Sequence, residues 1–326
     1  MSKLKPLLYV TRTLPQVAQK RLEALTEVEV KQWTGSGTIP SDELNKAVNS
    51  ADGLLCMLTE KIDSALISSA GKQLKVISTM SVGYDHIDVQ AAKDRQIALG
   101  YTPDVLTDAT ADLTALLALS AARRAKEAID AVRDGKWQKW DPTWLLGSQF
   151  TGKTLGMVGL GRIGSAVASR LKPFGFSRVL YHGSQPRPER AEPFNAQFTS
   201  FDGLLSESDV ICICCSLNEK TRHMFNKEAF KKMKSTAILV NTARGPIVQQ
   251  DDLVWALNER EIAAVGTDVT DPEPIDPKHP LVGHSRAIVF PHIGSATEET
   301  RNLMANMAID NALAGILGKD LKAPIK

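Results

Sequence analysis

The glycine-rich stretch Gly159-Leu160-Gly161-Arg162-Ile163-Gly164 places the narrowest limits on the fold of this chain. It follows the apolar run TLGMV and opens the amphipathic run SAVASRLKPFG, which predicts a strand, a turn and a helix. In that context the spacing G-x-G-x-x-G is typical of a dinucleotide-binding turn, because the glycines permit a tight turn, close approach of a pyrophosphate and packing of the helix on the strand. A purely structural βα turn is the alternative. The expected cofactor contacts are Gly159, Gly161, Arg162, Ile163 and Gly164.

The residues after the next predicted strand, RVLYH, indicate which nicotinamide nucleotide this turn would hold. A site for NAD usually carries Asp or Glu about 20 residues beyond the turn, where the carboxylate binds the ribose 2′-hydroxyl. Here that position is Tyr181, and no acidic residue stands at the end of the strand. Ser184 and Arg187, with Gln185 and Pro186 between them, suit a 2′-phosphate that a carboxylate would repel. We therefore expect NADPH as the cofactor and NADH as a weaker alternative.

Short apolar runs alternate with helical runs on both sides of the glycine-rich turn. In the first hundred residues the apolar runs are LLYVTR, VEVKQW, GLLCML and LKVISTM; later ones are RVLYH, VICICC, AILVNT, IAAVGTDV and RAIVF. This alternation predicts parallel sheets flanked by helices. Because 326 residues exceed one ordinary core, we expect an α/β protein with two Rossmann-like domains.

Charge, hydropathy and cysteine spacing argue against several other classes of protein. The net charge is +2 and no block of like charge occurs, so neither a nucleic-acid nor a membrane-surface partner is expected. No run of about 18 apolar residues predicts a membrane-spanning helix, and the N-terminal run LLYV is too short for a secretion signal. The cysteines of VICICC alternate between strand faces and fit no zinc site, so we expect buried thiols, no metal and a cytoplasmic location.

Three chemically versatile side chains follow predicted strands in the second half of the chain. Arg244 follows AILVNTA, Glu273 lies between Pro272 and Pro274, and His292 follows RAIVFP. In a doubly wound sheet the carboxyl ends of the strands line the ligand crevice. We therefore expect all three side chains to face the same crevice as the glycine-rich turn.

The types of these three residues suit hydride transfer to a 2-oxo acid. Arginine offers a planar fork to a carboxylate, and histidine can supply the proton that the nascent alkoxide requires. A carboxylate beside the histidine would favour the imidazolium. Taken singly, Arg244 would serve equally well in a surface ion pair, Glu273 in a solvated turn and His292 as a helix cap. The sequence separation of Glu273 and His292 does not by itself predict that they meet.

The segment GKWQKWDPTWLLGSQF carries three of the five tryptophans of the chain. Tryptophan in a polar loop is costly to leave in water, which favours an interface with another chain. The alternative is that the loop folds back on its own domain.

Four motifs in order, namely GLGRIG, VNTARG, the Asp-Pro-Glu-Pro loop and PHIGSAT, resemble the D-isomer-specific 2-hydroxyacid dehydrogenases over essentially the whole chain. Within that family, LKVISTMSVGYDHID, GYTPDVLTDAT and RLKPFG are most similar to the vertebrate-type reductases of glyoxylate and hydroxypyruvate. The resemblance implies a Rossmann cofactor domain, residues 105–285, inserted into a discontinuous flavodoxin-like substrate domain formed by residues 1–104 and 286–326. It also implies a homodimer.

The same resemblance implies roles for individual residues. Arg244 would bind and polarise the substrate, His292 would be the acid/base and Glu273 its partner. Further substrate contacts would come from Leu58, Val82, Gly83, Ser295 and, across the dimer, Trp140. Further cofactor contacts would come from Ser216, Thr242, Asp268 and Gly294.

The leading hypothesis is an NADPH-dependent reduction of glyoxylate to glycolate and of hydroxypyruvate to D-glycerate. A phosphoglycerate dehydrogenase of the same class would need a strongly basic phosphate pocket, commonly NAD and an added regulatory domain. An NAD(H)-sensing scaffold of the corepressor kind is the alternative from another class, since fold analogy alone does not establish catalysis.

Overall fold

A computed structural model describes residues 5–326, and the chain divides into two compact units. The first unit runs to Leu106 and resumes at Ser295, and the second runs from Thr107 to Gly294. The sequence-based boundary at residue 286 therefore differs from this division, because the strand at Ala287–Val289 pairs within the sheet of the second unit. Residues 1–4 of the expected substrate domain lie outside the described residues.

The first unit is a five-stranded parallel sheet flanked by helices. Its elements are β1 (Leu7–Val10), α1 (Gln16–Glu23), β2 (Glu29–Gln32), α2 (Ser41–Ser50), β3 (Gly53–Cys56), α3 (Ser64–Ser69), β4 (Val76–Thr79), α4 (Val89–Asp94) and β5 (Ala98–Gly100). The strand order is β2-β1-β3-β4-β5, and every pair is parallel. This is the flavodoxin-like order, so the expected fold class of this unit is confirmed.

The second unit is a seven-stranded parallel sheet. It opens with α5 (Thr107–Ala122) and α6 (Ala125–Arg133) and continues with β6 (Thr154–Val158), α7 (Arg162–Leu171), β7 (Arg178–His182), α8 (Pro188–Ala191), β8 (Gln197–Phe198), α9 (Phe201–Glu207), β9 (Val210–Ile213), α10 (Lys227–Lys232), β10 (Ile238–Asn241), α11 (Gln250–Asn258), β11 (Ala264–Thr267), α12 (Pro280–Gly283) and β12 (Ala287–Val289). The strand order is β12-β11-β10-β9-β6-β7-β8, so β7 and β8 lie on one side of β6 and the later strands lie on the other. Ligands of such sheets bind at this switch point, beyond the carboxyl ends of the strands.

The central strands of the second sheet are buried on both faces, which explains why they read as continuous apolar runs. In β9, Val210 and Cys212 face one core cluster, whereas Ile211 and Ile213 face the other. Successive strand side chains point to opposite faces, so a strand covered on both sides needs apolar residues at every position. The strand ends at Ile213, and Cys214 and Cys215 lie beyond it.

Two helices, α5 and α6, precede the tryptophan segment. α5 ends at Ala122, and Arg124, which precedes the first residue of α6, adopts a left-handed conformation (φ 53°). The last helix, α13 (Glu298–Ile316), belongs to the first unit, and the Thr297 hydroxyl caps it by accepting the Thr300 N–H. Among residues 5–326, no helix is both long and apolar enough to cross a membrane.

Candidate active site

The glycine-rich turn joins β6 to α7, and its three glycines have different structural roles. Gly159 has φ 94°, and a Cβ there would lie 2.9 Å from the Cys215 nitrogen. A Cβ on Gly164 would lie 2.1 Å from the Gly159 carbonyl oxygen, so helix and turn are packed too closely for any side chain. Gly161, at the start of α7, has no atom within 4 Å of its Cβ position. The turn therefore leaves open space in front of a helix N-terminus, which fits the pyrophosphate of a dinucleotide.

The loop after β7 carries the residues expected to select the cofactor. Ser184, Gln185, Pro186 and Arg187 are all exposed, and the Arg187 backbone N–H donates to the Tyr181 hydroxyl at 2.9 Å. The first carboxylate after the strand is Glu189, in α8. The loop is thus anchored through its backbone, which leaves the side chains of Ser184 and Arg187 in solvent.

His292 and Glu273 meet although they come from different loops. His292 Nδ1 lies 2.8 Å from Glu273 Oε2, and the Thr270 N–H donates to Glu273 Oε1 at 3.0 Å. Burial opposes ionisation of Glu273, but the His292 hydrogen bond and charge, the Thr270 N–H and the Arg244 charge outweigh it and lower the pKa of the carboxyl. The ionised carboxylate accepts the Nδ1 proton, so Nε2 is the ring nitrogen left for exchange with a ligand.

His292 is mounted on a short segment that Asp268 holds in place. The backbone of His292 is left-handed (φ 56°), an uncommon conformation for a side chain other than glycine. Its N–H donates to the Asp268 carbonyl at 2.8 Å, and the Asp268 carboxylate accepts the N–H groups of Ile293 at 2.8 Å and Gly294 at 2.7 Å. The N–H groups of His292, Ile293 and Gly294 therefore all bind Asp268, just after β11. These bonds hold the left-handed backbone of His292 in place.

Asp268 is itself 1% exposed. Burial raises the pKa of its carboxyl, against the Ile293 and Gly294 N–H groups and the His292 charge, which lower it. Both carboxylate oxygens are engaged by the protein backbone, so in this structure Asp268 supports the His292 segment. Its expected contact with a cofactor would have to be made in addition to these bonds.

Arg244 follows β10 and lies near the His292–Glu273 pair, since its charge contributes to the lowered pKa of Glu273. Asn241 fixes the intervening backbone, because its Nδ2 donates to the Arg244 carbonyl at 3.0 Å and its Oδ1 accepts the Ala243 N–H at 3.0 Å. A Cβ on Gly245 would lie 1.9 Å from the Thr270 carbonyl oxygen. The Arg244 loop and the Glu273 loop are thus packed directly against each other.

Three supporting residues were not among the sequence-based candidates. They are Asn241, Thr270 and Thr114, whose hydroxyl lies 2.7 Å from that of the expected cofactor contact Thr242. A polar residue at the end of the apolar strand ILVN is a signal that would have indicated Asn241. Thr270 acts through its backbone and Thr114 lies within a mostly apolar helix, so no local pattern points to either.

The expected substrate residues of the first unit lie at the carboxyl edge of its sheet. Leu58 follows β3 and is half-buried, while Val82 and Gly83 follow the neighbouring strand β4. Ser81 donates its hydroxyl proton to the Gly83 carbonyl at 2.7 Å and lies 2.8 Å from the Thr79 hydroxyl. Among the described residues, no acceptor is found for the N–H groups of Val82 and Gly83, which suits a small anion-binding nest.

Three further expected contacts lie outside the helices and strands. Ser295 is the first residue of the resumed first unit, and its carbonyl accepts the Thr297 N–H at 2.9 Å. Ser216 follows β9, and its carbonyl accepts the Thr221 hydroxyl at 2.8 Å. Trp140 lies in the segment after α6 and is 81% exposed.

The four cysteines are free thiols. Burial raises the pKa of Cys212 to about 12 and that of Cys215 to about 11, so both are protonated at neutral pH and poor nucleophiles. No group of three or more metal-ligating His, Cys, Asp or Glu side chains occurs within residues 5–326.

The comparisons with known proteins agree with this geometry. A family model described as D-isomer specific 2-hydroxyacid dehydrogenase, NAD binding domain, matches residues 115–294. The chain is 48% identical over 318 residues to the glyoxylate reductase/hydroxypyruvate reductase of Homo sapiens, which covers 98% of this chain and 97% of that protein. It is 44% identical over 321 residues to the glyoxylate reductase of Thermofilum pendens, with 97% and 93% covered.

A solved structure extends the likeness to the fold. The NADPH-dependent glyoxylate/hydroxypyruvate reductase of Sinorhizobium meliloti, in complex with NADP and malonate, has a TM-score of 0.83 at 27% identity, covering 98% of this chain and 97% of that one. The nucleotide turn, the paired His292 and Glu273 and these likenesses converge on one conclusion: the chain is an oxidoreductase that belongs to the D-isomer-specific 2-hydroxyacid dehydrogenase family.

Proposed function

We propose that this protein reduces the 2-oxo acids glyoxylate and hydroxypyruvate to glycolate and D-glycerate, with NADPH as the hydride donor. The observation that carries the proposal is the 2.8 Å contact between His292 Nδ1 and Glu273 Oε2, with the Arg244 charge beside it. Such a reduction requires two protein groups. One is a guanidinium that binds the substrate carboxylate, and the other is a proton donor that is hydrogen-bonded to a carboxylate of the protein.

His292 supplies the proton of the proposed reaction. When bound, the reduced nicotinamide supplies a hydride to the carbonyl carbon, and the oxygen then needs one proton to become a hydroxyl. The Nε2–H of His292 donates that proton, and Glu273 stabilises the imidazolium beforehand by accepting the Nδ1–H. The left-handed backbone at His292, held by Asp268, fixes the direction of the ring.

Arg244 binds the substrate carboxylate and polarises the 2-oxo group. The backbone around it is fixed by Asn241 and by the packing of Gly245 on Thr270, which limits the positions of the guanidinium. A preorganised cation of this kind stabilises charge that develops on the carbonyl oxygen. The family resemblance implies Leu58, Val82, Gly83 and Ser295 as further substrate contacts, with the N–H groups of Val82 and Gly83 binding the carboxylate.

The preference for NADPH rests on the loop after β7. The side chains of Ser184 and Arg187 are exposed, and no Asp or Glu lies between the end of β7 and Glu189 in α8. A 2′-phosphate gains charge-assisted hydrogen bonds from such a pair, whereas a ribose 2′-hydroxyl has no carboxylate to accept its proton. NADH is therefore the weaker donor.

The proposed assembly is a homodimer in which Trp140 reaches the site of the partner. Its support is the exposure of Trp137, Trp140 and Trp144 on one segment, since such apolar area is unusual on a monomer. A cytoplasmic location accords with four free cysteines, which persist in a reducing compartment.

The deciding experiment follows NADPH oxidation with glyoxylate, hydroxypyruvate, pyruvate and 3-phosphohydroxypyruvate offered separately. We expect turnover with the first two, and chiral analysis of the hydroxypyruvate product should give D-glycerate. Fastest turnover of 3-phosphohydroxypyruvate would replace the proposal with a phosphoglycerate dehydrogenase. Nucleotide binding without turnover of any acid would favour a nucleotide-sensing scaffold instead.

A further inference from the structure

A buried carboxylate, Glu60, is not among the expected catalytic, substrate or cofactor residues. It belongs to the first unit, follows β3, and its side chain is 0% exposed. Burying an ionised carboxylate is costly unless its oxygens are fully hydrogen-bonded. Glu60 also closes the turn Met57–Glu60, which contains Leu58, the expected wall of the substrate pocket.

Four donors from two strand ends converge on Glu60. Its Oε2 accepts the Met57 N–H at 2.5 Å and the Thr11 hydroxyl at 2.7 Å. Its Oε1 accepts the Thr59 hydroxyl at 2.7 Å and Arg12 Nη2 at 3.2 Å. Thr11 and Arg12 follow β1, whereas Met57 and Thr59 follow β3, so one carboxylate ties together two neighbouring loops at the carboxyl edge of the sheet.

The turn itself depends on this side chain for its shape. The Glu60 N–H lies 3.4 Å from the Met57 carbonyl, a long bond that holds the turn only weakly. The shorter bond runs from the Met57 N–H to the Glu60 carboxylate. Leu58 stands between these two anchored residues, and its backbone direction follows from them.

A buried ion pair often stabilises a fold no better than apolar residues of similar volume. The effect of the Glu60–Arg12 pair on the shape of the turn is therefore more informative than its effect on stability. We propose that Glu60 is a positioning residue for the 2-oxo acid: it fixes the Met57–Glu60 turn and thereby sets where Leu58 limits the side group of the substrate. The inference rests on the proposed function, because Leu58 has a substrate to limit only if the chain is a 2-oxo acid reductase.

The isosteric amide of glutamine cannot form all the hydrogen bonds that the Glu60 carboxylate forms. In Glu60→Gln the amide oxygen can still accept from Met57 and Thr11, but the amide nitrogen then faces Arg12 Nη2, and two donors oppose each other. The Thr59 hydroxyl can turn to accept a proton instead. Glu60→Gln therefore keeps the size of the side chain and removes one charged contact, which should loosen the turn.

The test compares wild-type protein, Glu60→Gln, the milder Thr59→Val, and Glu43→Gln, which alters a half-buried carboxylate of α2 that forms an ion pair with Lys46. KM and kcat are measured for glyoxylate and hydroxypyruvate at saturating NADPH. We expect Glu60→Gln to raise KM about tenfold with kcat within about twofold, and to change the ratio of the two KM values. Thr59→Val should move KM in the same direction by less, and Glu43→Gln should match wild type.

Amide hydrogen exchange gives a readout that does not require turnover. Exchange at Met57 should be faster in Glu60→Gln, while the β3 and β4 amides keep wild-type rates. Unchanged KM values and unchanged exchange in folded Glu60→Gln and Thr59→Val would overturn the inference, as would a fall in kcat alone. Wild-type protein that reduces neither acid would instead refute the proposed function, so the two failures are distinguishable.

Discussion

His292 Nδ1 lies 2.8 Å from Glu273 Oε2, although 19 residues separate them in the chain. The contact exists because the backbone of each partner is held independently. Asp268 binds the N–H groups of His292, Ile293 and Gly294, and the Thr270 N–H holds the second oxygen of Glu273. Pairs anchored on both sides keep their geometry without relying on the strength of a single ion pair.

Replacing Glu273 by Gln should change the pH dependence of reduction. The pKa of Glu273 is lowered, so its carboxylate is charged throughout the neutral range and favours the protonated ring of His292. Without that charge, the pH–rate profile of kcat/KM should move to lower pH. The pH–rate profiles of wild type and variant measure this, and coincident profiles would exclude the assigned partnership.

The same shift predicts the sign of a stability effect. Because the pKa is depressed on folding, Glu273 adds stability above the unfolded value of about 4.3, and this stability is lost as the pH falls through the lower folded value. Urea unfolding should therefore separate wild type from Glu273→Gln at pH 7, and the difference should shrink as the pH falls through the folded pKa of Glu273.

Replacing His292 by Asn should remove the proton donor. We expect kcat to fall by about 10²- to 10⁴-fold, the usual contribution of a positioned acid. The glycine-rich turn is untouched, so the Kd for NADPH, measured by fluorescence titration, should stay within about twofold. Wild-type kcat in a folded variant would show that another group supplies the proton.

Replacing Arg244 by Lys should damage both substrate binding and the chemical step. A lysine ammonium is a point charge that does not form the bidentate contact of a guanidinium. We expect KM to rise and kcat to fall, with a combined loss of about 10- to 100-fold in kcat/KM. Steady-state kinetics with glyoxylate measure this, and a change in KM alone would limit Arg244 to binding.

Replacing Arg187 by Ala should reduce the preference for NADPH. Its backbone N–H bond to Tyr181 survives the substitution, so the loop should keep its shape. Loss of one charge-assisted hydrogen bond to a 2′-phosphate predicts about a tenfold fall in the ratio of kcat/KM for NADPH to that for NADH. Arg178→Ala, which alters an exposed ion pair at the start of β7, is a matched control. A wild type that prefers NADH would contradict the cofactor proposal directly.

Replacing Trp140 by Ala tests the proposed reach across a dimer. The side chain is 81% exposed, so truncation should change the free energy of unfolding by less than about 0.5 kcal/mol. We expect kcat/KM to fall about tenfold while light scattering still reports a dimer. Unchanged kinetics in an intact dimer would show that Trp140 has no role at the site. A monomeric wild-type protein would contradict the proposed reach across a dimer.

Much of this protein follows from local sequence patterns. The glycines of GLGRIG, the alternation of apolar and helical runs and the placement of Arg244, Glu273 and His292 after strands all indicate the fold class and the candidate site. Each of these signals is local, because a turn that excludes side chains or a strand buried on both faces constrains the residues within it. The family assignment is confirmed by the comparisons.

The tertiary structure alone decided how these parts meet. The tertiary structure pairs Glu273 with His292 and brings the Asp268 carboxylate to Ile293 and Gly294. It also brings Thr11 and Arg12 to Glu60, and all of these partners lie far apart in the chain. Such contacts arise from the closure of loops upon a packed sheet, and their partners are chosen by geometry that no short window of sequence contains.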